Sequence, residues 1–367
     1  MTNANIISAI EAFAPTALQE SWDNTGMQIG SRLAECTGVL LCVDVTPDIV
    51  DEAKKRGCNL IISHHPLIFK PLRKLCGNTA VEEAVMKAVA AGIAVYSSHT
   101  ATDSTVGGVS YRMAEKLGAR PRRVLKPLEN RRMRLSVTVS SERADDVRIA
   151  LFEAIGRATG LRLDGFSCTS STDVVTAIAA TDDAADPLAA MSETATSTIS
   201  CVIDRSEADA VTAMLADVLD SDDVHIEVSA LENTDPALGL GILATLDKPI
   251  RPSELIAAVK EAFGSPVVRC TGLVTDDELQ IRRIAVCGGS GSEFAADAMR
   301  AGAEAFITSD TRYHDFVDYK DRLLIIDIGH YESEACTKEI FYQIITKKFP
   351  NFACYLSEIE SNPIKYI

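Results

Sequence analysis

Short apolar runs alternate with helix-like segments through the first and last thirds of this 367-residue chain. The strand-like runs are residues 39–45, 60–63, 94–98, 284–287, 305–308 and 323–328. The helix-like segments between them are residues 47–56, 81–91, 109–117 and 293–301. This alternation is typical of β-α units around a largely parallel sheet, because parallel strands need a long crossover connection. We therefore predict an α/β domain with one mixed sheet, formed by residues 1–129 and 232–367.

The middle of the chain has a different pattern. Residues 133–139 alternate apolar and polar side chains, as a half-exposed strand does. Further strand-like runs follow at 174–180, 198–203 and 225–230, with helix-like segments at 144–157 and 207–219. The resulting order β-α-β-β-α-β is that of a ferredoxin-like fold. We expect an inserted α+β domain at residues 130–231, with junctions at 121–130 and 231–236 and a mobile loop at 181–197.

Composition excludes several classes of protein. The formal net charge of −16 argues against broad nucleic-acid binding, which needs a basic surface. No stretch approaches the roughly 20 apolar residues of a membrane span, and the first residues lack a secretory pattern. The ten cysteines include no CxxC pair, so we expect reduced thiols in the cytoplasm.

Five of the six histidines come shortly after apolar runs, where strands end: His64, His65, His99, His314 and His330. Parallel strands bring their carboxyl ends to one edge of a sheet, where ligands bind. His64 and His65 also precede Pro66, which favours an extended conformation just before it. Taken alone, such a pair more often forms a packed, hydrogen-bonded turn than a metal site.

Two further pairs of residues strengthen the metal interpretation. His99 and Asp103 follow the run 94–98, although Asp103 by itself is better explained as a helix cap or an Asx turn. His330 and Glu334 are four residues apart and share one face of a helix, where Glu334 also suits a helix N-terminus. Three strand ends with ligand-type side chains together favour a metal site at one sheet edge.

Other residues suit the binding of a substrate. Trp22 is the only tryptophan, and its polar surroundings allow it to stack on a base instead of joining the core. Lys70 and Arg73 follow the histidine pair and can hold phosphate, or form a solvated basic turn. The motif Gly288-Gly289-Ser290-Gly291 predicts a tight turn of weak anion-binding character, because it lacks a full phosphate-loop pattern.

These segments together resemble the GTP cyclohydrolase 1 type 2 homolog family, also called the NIF-three-like family. The matching segments are Ser21-Trp22-Asp23-Asn24-Thr25-Gly26, residues 62–70, Ser98-His99-Thr100 with Asp103 and Gly107-Gly108, residues 309–315, and residues 327–334. They occur in the family's order and span nearly the whole chain outside the middle. Thr102 and Ser309 depart from the residues common in the family, and neither is a ligand.

The resemblance implies a site for two divalent metal ions per subunit, and three imidazoles with two carboxylates suit zinc, iron and manganese alike. Its implied ligands are His64, His65, Asp103, His330 and Glu334. The resemblance also implies a homohexamer, and it identifies the middle domain as a PII/CutA-like insert. A histidine ligand usually has its second nitrogen held by a carbonyl or carboxylate, for which Asp310 is a candidate.

We interpret the chain as a metal-dependent hydrolase acting on a nucleotide-like substrate such as GTP. Two cations would attract a small anionic or nucleotide ligand, and His99 or His314 would move protons. A non-catalytic metal-binding scaffold or regulatory hexamer needs the same ligands and stays open as an alternative. A metal-dependent phosphoesterase is the third interpretation.

Overall fold

The computed structural model describes residues 1–159, 168–178, 191–219, 224–276 and 278–367. Its strands are β1 Gly26–Ile29, β2 Val39–Cys42, β3 Leu60–Ser63, β4 Ala94–Ser97, β5 Ala119–Pro127, β6 Arg132–Ser140, β7 Cys168–Ile178, β8 Met191–Asp204, β9 His225–Ala230, β10 Gly239–Ile250, β11 Arg269–Cys270, β12 Ile281–Ser290, β13 Ala305–Ser309, β14 Leu324–Asp327 and β15 Cys354–Leu356.

The α-helices of the described residues are α1 Asn3–Phe13, α2 Pro47–Lys55, α3 Ala80–Ala91, α4 Thr100–Ser104, α5 Val109–Lys116, α6 Ala144–Thr159, α7 Arg205–Val218, α8 Pro252–Phe263, α9 Ala295–Arg300, α10 Tyr313–Tyr319, α11 His330–Glu334 and α12 Thr337–Lys348. The chain forms two compact units. One comprises Met1–Leu128 and Pro236–Ile367, and the other comprises Glu129–Asp235. None of the described helices combines the length and apolar character that crossing a membrane would require.

The first sheet of the larger unit has the order β1-β4-β3-β2-β15. Strands β2, β3, β4 and β15 run parallel, and β1 pairs antiparallel with β4. Side chains alternate between two packed faces. Leu40 and Ile61 pack with α2 and α3, whereas Leu41 and Ile62 pack with α1 and α12. Burial on both faces explains why these strands are continuous apolar runs in the sequence.

The second sheet of the larger unit has the order β11-β14-β13-β12-β10-β5. Strands β12, β13 and β14 run parallel, while β10 pairs antiparallel with both β5 and β12. The prediction of one mixed sheet is therefore wrong, because the described part of this unit contains two. Strands β1 and β15 occupy the two edges of the first sheet, and the later strands form a separate sheet with β10 and β5.

Two segments predicted as irregular are strands. Residues 121–127, expected in a junction, belong to β5. Pro121 is tolerated there because β5 is an edge strand, where a missing N–H costs little. Gly288, Gly289 and Ser290 lie in β12 and not in a tight turn, at a position where the register with β13 shifts. Glycine is common at such an irregularity, because the backbone there leaves the normal strand conformation.

The smaller unit contains a four-stranded antiparallel sheet in the order β7-β8-β6-β9. Along the chain its elements follow the sequence β6, α6, β7, β8, α7, β9, and side chains of α6 and α7 pack on the sheet. Residues 191–197, predicted as part of a mobile loop, belong to β8. The whole segment pairs with β7, and Thr196 and Ser197 also pair with β6, so the polar composition misled the prediction. The remaining loop residues, 181–190, lie outside the described part of the chain.

Candidate metal centre

The two adjacent histidines extend the backbone pairing of β3 beyond its end. The N–H groups of His64 and His65 donate to the carbonyls of Cys42 and Val43, which keeps both residues fixed against β2. The His64 side chain is fully buried, and its Nδ1 lies 3.2 Å from the carbonyl oxygen of Ser98. The His65 ring is partly exposed, and its Nδ1 lies 2.7 Å from Asp44 Oδ1. Strand pairing therefore sets the position of both rings.

Helix α11 places His330 and Glu334 against this pair from the second sheet. Glu334 Oε2 lies 2.8 Å from His65 Nε2 and 3.1 Å from His330 Nε2. The two Nε2 atoms of His65 and His330 are 3.3 Å apart. His330 Nδ1 lies 2.7 Å from Asp310 Oδ2, which confirms the carboxylate partner predicted for one of these imidazoles. The centre thus lies where the carboxyl ends of two sheets meet, and not at one sheet edge as predicted.

Asp103, on α4, completes the cluster. Its Oδ1 lies 3.7 Å from His64 Nε2, and Glu334 Oε1 lies 3.5 Å from the same nitrogen. His64 Nε2 and Asp103 Oδ1 are both buried without a hydrogen-bond partner among the described residues. A buried polar atom without a partner costs free energy, about 1–3 kcal/mol, unless something else binds it. A cation between these two atoms would satisfy both, so the donor set fits a metal ion.

The charges of this cluster are strongly perturbed. Burial, together with the nearby charge of Glu334, raises the pKa of Asp103 well above its usual range. Burial also acts to raise the pKa of Glu334, but the three surrounding imidazoles hold it well below its ordinary value. Burial lowers the pKa of His64. For His65, hydrogen bonds to Asp44 and Glu334 outweigh burial and raise the pKa to about 10.

His99 extends the cluster on the side of the first sheet. Its ring centroid lies 5.2 Å from that of His64 and 5.4 Å from that of His65. Among the described residues, two groups bring ligand atoms close enough to hold a metal ion: His64, His65, His99 and, separately, His65, His330, Glu334. His99, which the sequence predicted as a catalytic residue, is therefore equally well placed as a ligand.

Four imidazoles share one arrangement, in which Nδ1 lies within hydrogen-bond distance of an oxygen atom. The oxygens belong to Ser98, Asp44, Asp23 and Asp310. Such contacts fix the ring orientation and the tautomer of a metal ligand. Sequence reasoning missed Asp44 and Asp23 in this role. The available signal was that Asp44 follows β2, the parallel neighbour of the strand that ends in the histidine pair.

The other predicted site residues occupy varied positions. Trp22 is 58% exposed, and its ring contacts those of Phe69 and His99. Lys70 and Arg73 are exposed and form no ion pair with a described residue. His314 is exposed on α10, where its ring contacts Tyr313 and, within the described chain, makes no contact with the cluster. The structure thus brings Trp22 to the centre but leaves His314 outside it.

The glycine-rich segment has a structural role in the centre. The Gly289 N–H donates to Ser333 Oγ at 2.9 Å, and its carbonyl accepts from Ser309 Oγ. These bonds connect β12 to α11 and β13. The segment therefore positions the helix that carries His330 and Glu334, which is a different role from the anion binding considered from its sequence.

A model of the DUF34/NIF3 (NGG1p interacting factor 3) family matches residues 1–363. The chain belongs to this family. The predicted membership is confirmed, because proteins named GTP cyclohydrolase 1 type 2 homolog match over their full length. One from Halalkalibacterium halodurans is 29% identical over 99% of this chain and 98% of its own. One from Bacillus subtilis is 28% identical over the same shares.

Two solved structures have a fold similar to that of this chain. A Bacillus cereus protein related to NIF3 is 27% identical, covers 100% of this chain and 99% of its own, and has a TM-score of 0.78. A Staphylococcus aureus protein at 24% identity matches with a TM-score of 0.79 over equal shares. The mixed α/β architecture of this chain is therefore that of its family.

Proposed function

We propose that this protein is a dinuclear-metal hydrolase that acts on a nucleotide-like substrate. The observation that carries the proposal is the pair of buried, unpartnered atoms, His64 Nε2 and Asp103 Oδ1, which face each other across 3.7 Å. Glu334 lies beside both His64 and His65, so its carboxylate would hold metal together with these imidazoles. The proposed ligands are His64, His65, Asp103, His330 and Glu334.

The donor set restricts the metal. Three imidazoles and two carboxylates suit zinc, iron or manganese, whereas calcium and magnesium prefer oxygen ligands alone. When bound, such ions act as Lewis acids and supply a nucleophile from water near neutral pH. This chemistry is what a hydrolase needs and what a purely structural site, closed by four ligands, does not provide.

The remaining residues hold the centre and move protons. Asp44 and Asp310 fix the rings of His65 and His330 through Nδ1. His99 is fixed in the same way by Asp23, which leaves its Nε2 as the nitrogen that can accept or donate a proton. We assign the proton-transfer role to His99 and not to His314, since the described contacts of His314 do not reach the cluster.

We also propose the assembly that the family resemblance implies. The unit Glu129–Asp235 is proposed to be the ferredoxin-like, PII/CutA-like insert, supported by its β-α-β-β-α-β order and its strand order β7-β8-β6-β9. The protein is proposed to form a homohexamer in the cytoplasm, where its ten unpaired cysteines would stay reduced. Light scattering coupled to size exclusion tests the oligomer, and a mass of six chains is expected.

The experiment that tests the function compares products at equal metal content. The wild-type protein is loaded with zinc, iron or manganese and incubated with GTP, and formate and phosphate are measured separately. Release of formate supports a cyclohydrolase, and release of phosphate alone supports a phosphoesterase. Absence of both products supports a non-catalytic metal scaffold and contradicts the hydrolase.

Matched variants locate the activity. His64→Ala is expected to lose metal and product release together. His225→Ala is the control, because His225 is exposed in the smaller unit and its ring hydrogen-bonds to Glu227, far from the proposed ligands in the sequence. Circular dichroism shows whether each variant stays folded. A folded His64→Ala protein with full metal content would contradict the proposed centre.

A further inference from the structure

Two large aromatic side chains lie exposed beside the histidine cluster. Trp22 is 58% exposed and Phe69 is 47% exposed. Their ring centroids are 6.1 Å apart with planes at 64°, an edge-to-face contact. Most side chains of this size bury their apolar surface, and adjoining exposed rings are a common mark of a binding site.

The two rings connect to the metal centre through His99. The His99 ring lies 5.9 Å from Trp22 and 6.2 Å from Phe69. On its other side it lies 5.2 Å from His64, one of the proposed ligands. A row of aromatic rings therefore leads from the surface to the ligands, over a distance that one small molecule can span.

The loops that carry both rings are held by side-chain hydrogen bonds. The buried Asp23 carboxylate accepts from Thr25 Oγ1 at 2.9 Å, from the Thr100 N–H at 3.1 Å, and lies 2.8 Å from His99 Nδ1. Asn24 Nδ2 donates to the Ile68 carbonyl at 2.7 Å, which joins the Trp22 loop to the residue before Phe69. The exposure of the two rings is therefore a property of an ordered surface.

We infer that Trp22 and Phe69 form a subsite for a flat heteroaromatic ring, carried by the same ligand that binds the metal centre. Aromatic side chains stack on any nucleobase, because every base has a π face. Binding of the ring requires only this surface, whereas its orientation toward the metals rests on the proposed function. The inference thus extends that function to a substrate with a nucleobase-like ring at one end.

The single tryptophan makes this inference directly measurable. Fluorescence of Trp22 is recorded while the full-length, metal-loaded protein is titrated with each of the four common ribonucleosides and with ribose 5-phosphate. At least one nucleoside is expected to quench the emission with a saturable curve, and ribose 5-phosphate is expected to leave it unchanged. N-acetyltryptophanamide corrects for absorption by the nucleosides. Linear curves for all four nucleosides would overturn the inference.

Variants test whether nucleoside binding depends on these two rings and not on other exposed aromatic side chains. Phe69→Ala is expected to raise the dissociation constant about fivefold or more, since base stacking contributes at least that much. Tyr313→Ala is the matched control, because Tyr313 is 76% exposed but contacts His314 instead of the cluster. Trp22→Ala is followed by equilibrium dialysis, because it lacks the reporter, and the same loss is expected. An unchanged constant in Phe69→Ala and Trp22→Ala would overturn the subsite.

A parallel titration of chelator-treated protein separates this inference from the proposed function. Nucleoside quenching that persists without metal supports the subsite even if no hydrolysis is found. Full metal content and activity without any nucleoside quenching would refute the subsite and leave the hydrolase standing. A blue-shifted Trp22 emission that no nucleoside alters would show that another copy of the chain covers the rings, which also overturns the inference.

Discussion

The carboxylate of Glu334 occupies the space that a side chain at Gly289 would need. A Cβ atom at Gly289 would lie 2.2 Å from Glu334 Oε1, and the backbone φ there is +64°. Both facts require glycine, since L side chains rarely adopt such a φ and the carboxylate cannot share the space. Gly289 thus allows Glu334 to reach the centre of the three imidazoles.

Gly289→Ala is expected to displace Glu334 and lower the metal content of the protein. Gly264→Ala is the matched control, because Gly264 has a similar φ of +62° with no atom within 4 Å of the added Cβ. Both variants should lose about 1–2 kcal/mol of unfolding free energy from the left-handed backbone. Only Gly289→Ala should also lose metal, measured by elemental analysis. Equal metal content in the two variants would show that the position of Glu334 does not depend on the absence of a side chain at residue 289.

Asp44→Asn is expected to weaken metal binding without removing a ligand. The carboxylate fixes the His65 ring through Nδ1, and loss of such a contact usually costs about 10–100-fold in metal affinity. Asp51→Asn is the control, because Asp51 is exposed and pairs with Lys87 on the surface. Isothermal titration with zinc compares both variants with the wild type. The role of Asp44 would be rejected if its variant bound zinc as tightly as Asp51→Asn.

The C-terminal segment is expected to stabilise the metal centre. Ser361 Oγ lies 3.1 Å from Asp44 Oδ2, and Asn362 Nδ2 donates to Glu332 Oε1 at 3.0 Å. Asp44 follows the first sheet and Glu332 lies in α11 beside the second, so the segment bonds to both sides of the centre. Ending the chain at Glu360 should therefore reduce zinc affinity by about tenfold, as expected for loss of supporting contacts.

Removal of Ile367 alone is the control for this truncation, since that residue is fully exposed. Its zinc affinity and its unfolding midpoint should equal those of the wild type. If the chain ending at Glu360 retained wild-type zinc affinity while folded, the segment would have no role in the centre.

Glu52 provides a pH-dependent contribution to stability away from the centre. Burial acts to raise its pKa, but hydrogen bonds from Ser357, the Glu358 N–H and Arg56 lower it below the usual 4.5. A carboxylate with a lowered folded pKa stabilises the protein above its unfolded pKa, and this stabilisation is lost as pH falls through the folded value. Glu52→Gln should lower the free energy of unfolding by about 1–3 kcal/mol at pH 7. Below pH 4.5 its unfolding free energy should differ less from that of the wild type.

Urea unfolding at pH 7 and at about pH 3.5 measures this difference for the wild type and for Glu52→Gln. Glu83→Gln serves as control, because Glu83 is exposed and makes only a surface pair with Lys87. If the difference in unfolding free energy between Glu52→Gln and the wild type stayed constant over this pH range, the lowered pKa of Glu52 would not be its cause.

Elements with a uniform local pattern could be predicted from the sequence. The prediction for β3 at 60–63 and that for β9 at 225–230 match the structure. β3 is apolar on both faces and is followed by two histidines and a proline, so its own residues are sufficient to predict where it lies. β5 could not be predicted in the same way, because Pro121 and its arginines are tolerated only at a sheet edge, which depends on β10.

The candidate site shows the same limit. His64, His65 and His330 could be nominated because each follows an apolar run. Asp44 and Asp23 could not be recognised as their partners, since that role depends on which strand lies alongside. The meeting of two sheets was also beyond local patterns, because the division of the strands between two sheets depends on which strands pair in the folded chain.

Anomalous diffraction from a crystal of the metal-loaded protein tests the central claim most directly. Data collected on both sides of the zinc or iron absorption edge locate each ion and identify it. Two anomalous peaks per chain are expected, each at roughly 2.0–2.2 Å from its nitrogen and oxygen ligands. The expected ligands are His64, His65, Asp103, His330 and Glu334. A metal-loaded crystal with no anomalous peak among these five side chains would contradict this claim.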